Sequence, residues 1–164
     1  MGNWVGRRMQ RREDAELLTG SGRFVGDLNR PGMLHAVFLR SPYPHARIES
    51  IDTSAALALP GVHAVLTGAD LPDDLGAQPN THLFGERETP SYAPARDRAH
   101  YAGEPVALIV ADSQYVAEDA RDEIAVDWDP QPSVGDAQLA LAEDAPLVWP
   151  DHDWPDNVCA TFEK

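Results

Sequence analysis

One cysteine, Cys159, stands among 164 residues. A lone thiol cannot close an internal disulfide or build a thiolate metal cage, so neither staple is expected to hold this fold. Long apolar runs are missing too. The longest strongly apolar stretch is Val106 to Ala111, far short of the roughly 18 residues that a membrane span needs. Basic residues are scarce after position 98, where 15 acids face 2 bases, against 12 acids and 11 bases before it. The formal net charge of -14 argues against nucleic acid and anionic membrane as partners. Arg7, Arg8, Arg11 and Arg12 crowd the N-terminus but no apolar segment follows. No signal peptide is expected, and a cytoplasmic location follows by default.

What is present fits one globular domain spanning 1–164, with 43% apolar and 24% charged residues. A chain this long buries about 68–70% of its unfolded surface without metal or disulfide. The segment 13–18 reads as a short helix with acids in its first turn and Gly20 beyond its end. A short strand is predicted at Arg23 to Val25. Met33 to Arg40 is a strand apolar on both faces, hence expected to be buried on both. Ser41-Pro42-Tyr43-Pro44 breaks it. Strands follow at Arg47 to Asp52 and Val62 to Thr67, with a short helix between them capped by Asp52 or Thr53. Val106 to Ala111 is the expected central strand, with Leu108 in the core. Asp112 or Ser113 caps a helix over 113–123 that covers one sheet face through Val116 and Ala120. Ile124, Val126 and Trp128 alternate with Ala125, Asp127 and Asp129, the period of a strand with one wet face. The sum is α+β: a mixed β-sheet with short covering helices.

Residues 72–98 differ. Pro72, Pro79, Pro90 and Pro94 interrupt them and no period is sustained. Structureless loops of more than about 12–15 residues in a compact domain are usually functional or disordered. This loop carries the apolar pair Leu83-Phe84 beside polar Thr81, His82 and Glu86. Either a ligand or partner covers that pair, or it pins the loop to its own domain.

Catalytic constellations are few. Thr19 to Gly26 is rich in glycine, but it lacks the Gly-Lys-Ser/Thr of a phosphate loop and follows a helix rather than a strand. His35 and His63 lie in strands and read as structural. In Asp151-His152-Asp153 consecutive side chains diverge, so a chelate from the triplet is not expected. No Gly-x-Ser-x-Gly elbow is present. Cys159 reads as a half-buried structural thiol. The tail aromatics Trp149, Trp154 and Phe162 either meet a partner or fold back on their own domain.

The ordered segments carry a resemblance. Arg12-Glu13-Asp14, Leu17-Leu18-Thr19-Gly20 and Gly22-Arg23-Phe24 come first. Pro31 to Ala36, Arg40-Ser41-Pro42, His45-Ala46-Arg47-Ile48 and Ala64 to Leu71 follow. Tyr101-Ala102-Gly103-Glu104-Pro105-Val106-Ala107, Ala117-Glu118-Asp119-Ala120 and Val126-Asp127-Trp128-Asp129-Pro130 complete the series. Together they resemble the N-terminal α/β-hammerhead domain of the molybdenum hydroxylase large subunit, in the xanthine dehydrogenase, aldehyde oxidase and aerobic carbon monoxide dehydrogenase family.

That resemblance implies a structural, non-catalytic N-terminal module or split subunit of an oxidoreductase. In the family the molybdopterin contacts and the catalytic glutamate lie in later domains, and no residue here matches them. No catalytic, cofactor-binding or metal residue is therefore expected in this chain, which alone would be inactive. The assembly would carry molybdenum-molybdopterin, [2Fe-2S] and FAD on other domains or subunits, which are the implied partners. Leu83 and Phe84 would be substrate-access residues, because a Leu-Phe pair from this region lines the funnel toward the molybdenum site in xanthine dehydrogenase-like members. The alternative is a stand-alone interaction or assembly module with the same fold and no enzymatic role.

Overall fold

Seven residues from Pro105 to Ala111 form β5, the middle strand of a three-stranded antiparallel sheet. β1 (His35–Arg40) pairs with one edge and β3 (Val62–Thr67) with the other. The computed structural model describes residues 6, 8, 9, 11–72, 87 and 92–161. Contacts divide the chain into a unit of residues 1–33 and a unit of residues 34–164.

The smaller unit contains a single-turn helix, α1 (Asp14–Leu18). Gly20 ends it in the left-handed region with φ 70°, where a Cβ would be strained. The Ser21 and Gly22 amides both donate to the Glu16 carbonyl. The strand expected at Arg23 to Val25 is instead a 3₁₀ turn over Val25–Asp27. The Asp27 carboxylate takes the Phe24 amide at 2.9 Å, and this local bond favours a turn over an extended segment.

In the larger unit, α3 (Gln114–Asp122) lies across one face of the sheet. Its start is set by Ser113, whose Oγ accepts the Val116 amide at 3.3 Å. Ala117 and Ala120 face the sheet, where Ala107 and Ala111 lie fully buried. Four methyl side chains let helix and strand approach closely. Ile109, among the largest side chains fully buried here, fills the centre with Val65 beside it. α2 (Ser54–Leu57) starts where Asp52 accepts the Ser54 amide at 2.9 Å, and Ala56 joins the same cluster.

A second antiparallel sheet holds β4 (Arg98–Ala99), β2 (Ala46–Asp52) and β6 (Ala125–Pro130), in that order. Ile51 and Val126 pack from it against the main core. The expected α+β class is met, but the one mixed sheet is corrected to two sheets, each wholly antiparallel. The cause is the corner after β1. The Ser41 amide still bonds to the Glu104 carbonyl, and then Pro42 and Pro44, which lack donors, cannot extend the ladder. The chain leaves for the second layer.

Two burial expectations change as well. β1 is half-buried only at His35, Val37 and Leu39, while Ala36 and Phe38 on its other face are exposed. Leu108 faces the same way as Phe38, so Ile109 rather than Leu108 is the core position of β5. The sequence shows that both faces are apolar but not that both are covered.

Close backbone contact fixes the path toward β4. A Cβ on Gly68 would lie 2.3 Å from the Ala95 carbonyl oxygen and 2.5 Å from Arg96 Cα. Backbone cannot rotate away as a side chain can. Gly68→Ala is therefore expected to destabilise by about 1–3 kcal/mol, the usual cost of overpacking. Ile109→Ala is expected to cost about 2–5 kcal/mol and Leu108→Ala clearly less. Thermal unfolding of the three variants checks both statements; equal losses at 108 and 109 would contradict the assignment.

Candidate functional site

A cleft of about 190 Å³ opens beside β4, with Arg98, His100, Glu104, Trp149 and Asp151 in its wall. Arg98 is its anchor. The two-residue strand pairs Arg98 with Arg47 and Ala99 with Ala46 on β2, leaving Arg98 only 5% exposed. A cation so placed needs partners for its donors. Asp151 supplies them as a fork, taking Nε at 2.9 Å and Nη2 at 3.2 Å. The third nitrogen, Nη1, points at His45 Nε2 at 3.4 Å. His45 Nδ1 lies 2.8 Å from the Pro132 carbonyl, which can only accept. Nδ1 is therefore the donor, and the Nε2 lone pair faces Arg98.

Glu104 is 2% exposed and closes the far wall. One of its oxygens accepts the His100 amide, and its carboxylate lies 3.4 Å from His100 Nδ1. The His100 ring stacks on Trp149 with centroids 3.8 Å apart. His152 in turn stacks on Trp154 at 4.9 Å, and Arg87 lies over Trp154 at 5.6 Å. Asn157 ties the tail to itself. Its Oδ1 accepts the Val148 amide, and its Nδ2 donates to the Pro146 and Ala140 carbonyls.

The charge asymmetry of the sequence has a local meaning here. Acids after position 98 outnumber the bases around them, and among the described residues Asp151 and Asp156 meet arginines from the earlier part of the chain. Asp151 pairs with Arg98 and lies 3.7 Å from Arg47, and Asp156 pairs with Arg87 at 2.6 Å. The hydrogen bond from Arg98 holds the Asp151 carboxyl below its ordinary range against a smaller opposing effect of burial. Asp156 is lowered in the same way, first by its bond from Arg87 and then by the Val158 amide.

The arrangement is a clamp. Its polar groups bind each other and hold the tail against β4. In the triplet Asp151-His152-Asp153, Asp151 bonds Arg98 and the His152 ring stacks on Trp154. His63 bonds Asp112 at 2.7 Å on an exposed part of β3. Cys159 is exposed rather than half-buried, and its Sγ lies 3.8 Å from the Arg87 carbonyl. Among the described residues, no group of three or more His, Cys, Asp or Glu is placed to hold a metal ion. Trp149 and Trp154 fold back on their own unit. The substrate-access pair Leu83 and Phe84 lies outside the described residues, as does Phe162. Near the loop's described ends, Arg96 donates to the Pro72 carbonyl at 2.8 Å.

Two antiparallel sheets, the covering α3 and the Gly-Glu-Pro entry to β5 define an α+β hammerhead module. Residues 19–132 match the family described as "Aldehyde oxidase and xanthine dehydrogenase, a/b hammerhead domain". The chain belongs to that family. It is 41% identical over 157 residues to the nicotine 6-hydroxylase large subunit of Paenarthrobacter nicotinovorans, covering 95% of this chain and 19% of that subunit. It is 43% identical over 145 residues to the carbon monoxide dehydrogenase large chain of Afipia carboxidovorans, covering 88% and 17% of the two chains. The crystal structure of the Cu,Mo-CO dehydrogenase superposes with TM-score 0.73 at 43% identity, over 89% of this chain and 18% of that one. The chain thus spans about a fifth of the length of the relatives it matches.

Asp151→Asn is expected to loosen the tail by about 1–3 kcal/mol, the value of a hydrogen bond to a charged group, with the lower end favoured because Asp151 is half exposed to screening water. The pH dependence follows from the lowered carboxyl. Its stabilisation is complete above the ordinary carboxylate range and is lost as pH falls through the depressed value. Tryptophan fluorescence should report release of Trp149 in acid in the parent, whereas Asp151→Asn, which has no carboxyl to protonate, should show a looser tail already at neutral pH and lose that part of the acid transition. Identical acid transitions in the two proteins would show that the pair does not hold the tail.

Proposed function

We propose that the chain is a structural, non-catalytic module or split subunit of a molybdenum-cofactor-dependent hydroxylase or dehydrogenase. In this reading it packs on the molybdopterin-binding part and shapes substrate access, while chemistry takes place elsewhere. One observation carries the proposal: a match over 95% of the chain accounts for only 19% of the relative's length. The other four-fifths of such a subunit is where the reacting groups belong.

The donor set agrees with that division. A [2Fe-2S] cluster is held by four cysteines, and this sequence has one. No described cluster of His, Cys, Asp or Glu fits a metal. In this reading no step of the reaction is assigned to the residues of this chain. Molybdenum-molybdopterin, [2Fe-2S] and FAD are placed on other domains or subunits of a cytoplasmic assembly. No described helix is long and apolar enough to cross a membrane.

What this chain does is mechanical. The Arg98 clamp and the Gly68 contact hold both flanks of the 72–98 loop to fixed strands. A loop anchored in this way can present Leu83 and Phe84 as a wall of the substrate passage. In the assembled enzyme, Phe84→Ala is expected to change KM or substrate preference more than thermal stability. Unchanged kinetics on every accepted substrate would remove the access role.

Co-expression with a molybdopterin-binding polypeptide of the family, followed by size exclusion, native mass spectrometry and metal analysis, tests the whole reading. The expected result is one complex, with molybdenum in it and none in the isolated chain. A chain that remains a stable monomer in the presence of that polypeptide would favour the stand-alone assembly module instead.

A further inference from the structure

An antiparallel sheet with one face on a core normally shows polar side chains on the other. The second sheet of this chain obeys. Its exposed positions include Arg47, Glu49, Asp127 and Asp129, with Arg47 directly opposite Asp129. The β1-β5-β3 sheet does not. Opposite the core its register lines up two rows across all three strands: Phe38, Leu108 and Leu66, then Ala36, Val110 and Ala64. None of the six is charged or polar. Phe38 is 36% exposed and Leu66 41%, and Leu34, just before β1, is 45% exposed. In a chain with 24% charged residues, six uncharged positions in register across three strands mark a surface suited to being covered.

We infer that this face is a docking surface for the remainder of the large subunit, and that its occupant is an apolar, uncharged surface of that polypeptide. The inference rests on the reading proposed above and adds the face through which packing occurs. Two observations choose the occupant. Relatives carry this chain as 17–19% of a longer polypeptide, so about four-fifths of a subunit is available to lie against it. A second copy is disfavoured by charge, because each copy bears a formal -14 and pairing them would set two strongly acidic bodies together. Arg40, whose guanidinium lies 5.5 Å over the Phe38 ring, gives the patch a charged rim position. Such a rim is usual around an apolar interface centre. The tail aromatics, the other sequence candidates for this role, are already engaged at Trp149 and Trp154.

Hydroxyl-radical footprinting of the isolated chain and of its complex with the molybdopterin-binding polypeptide gives the test. Phe38, Leu66 and Leu108 are expected to be oxidised readily in the isolated chain and protected at least several-fold in the complex. The double variant Phe38→Asp/Leu66→Asp, checked for an unchanged circular dichroism spectrum, is expected to bind the polypeptide about a hundred-fold or more weakly, since burying either side chain is worth a large factor. Tyr115→Asp, on the exposed side of α3, should bind as the parent does. Side chains already protected in the isolated chain would mean that this chain's own segments or a second copy cover the face, and would overturn the inference. So would side chains that stay reactive in a complex that forms. In that last case the parent still binds, so the function proposed above survives while the docking face is lost. A parent chain that never binds removes both.

Discussion

β5 is hydrogen-bonded along both edges, and it positions the strands of its own sheet and the helix packed on it. β1 and β3 take its two edges, and α3 lies over its alanines. Its start is gripped by loops: the Ser41 amide reaches the Glu104 carbonyl, Gly103 reaches back to Ser41, and the Ala95 amide bonds the Pro105 carbonyl. Its end is gripped by the Asp112 amide on the Gly61 carbonyl. Such a strand has few ways to move. The chain uses it as a fixed rail from which the β4 segment and the tail are hung.

The clamp around Arg98 depends on that rail. Ala95 is bonded to β5, and Gly68 admits the backbone of Ala95 and Arg96 so closely that no side chain fits between them. Arg98 follows directly and is buried by its position on β4, not by its own affinity for the interior. Burial then calls for a partner such as Asp151, because a buried guanidinium without hydrogen-bond acceptors is costly. Trp149 and Trp154 flank Asp151 in the chain and pack beside it on the domain. A surplus of acids that reads as mere solubility has, at Asp151 and Asp156, a positioning role.

Local physics was legible in the sequence. β2, β3, β5, β6 and α3 fall within a residue or two of their expected bounds, because alternation, a Ser cap and prolines act over a few positions. Distant pairings were not. Arg98 and Asp151 are 53 residues apart, as are Arg98 and His45, and no period or motif links them. β4 has two residues, too few for any alternation to appear. The separation into two sheets depends on a proline corner whose direction the sequence does not encode. The 3₁₀ turn at Val25–Asp27 shows the reverse case, in which one Asp side chain outweighs a weak strand propensity.

The error on β1 is the most informative of these. Met33 to Arg40 is apolar on both faces, and a strand apolar on both faces is buried on both. Among the described residues β1 is half-buried on one face and exposed on the other, and the docking surface proposed above would reconcile the rule with that pattern. Within the chain, Phe38 and Leu66 therefore look misplaced, while Arg47 and Asp129 on the other sheet look ordinary. The two sheets were given opposite treatments by the same sequence. A free domain would be more soluble with polar side chains on that face. The apolar residues on that face are what the proposed docking surface requires, and the charged positions Arg47 and Asp129 on the other sheet mark a surface that suits water.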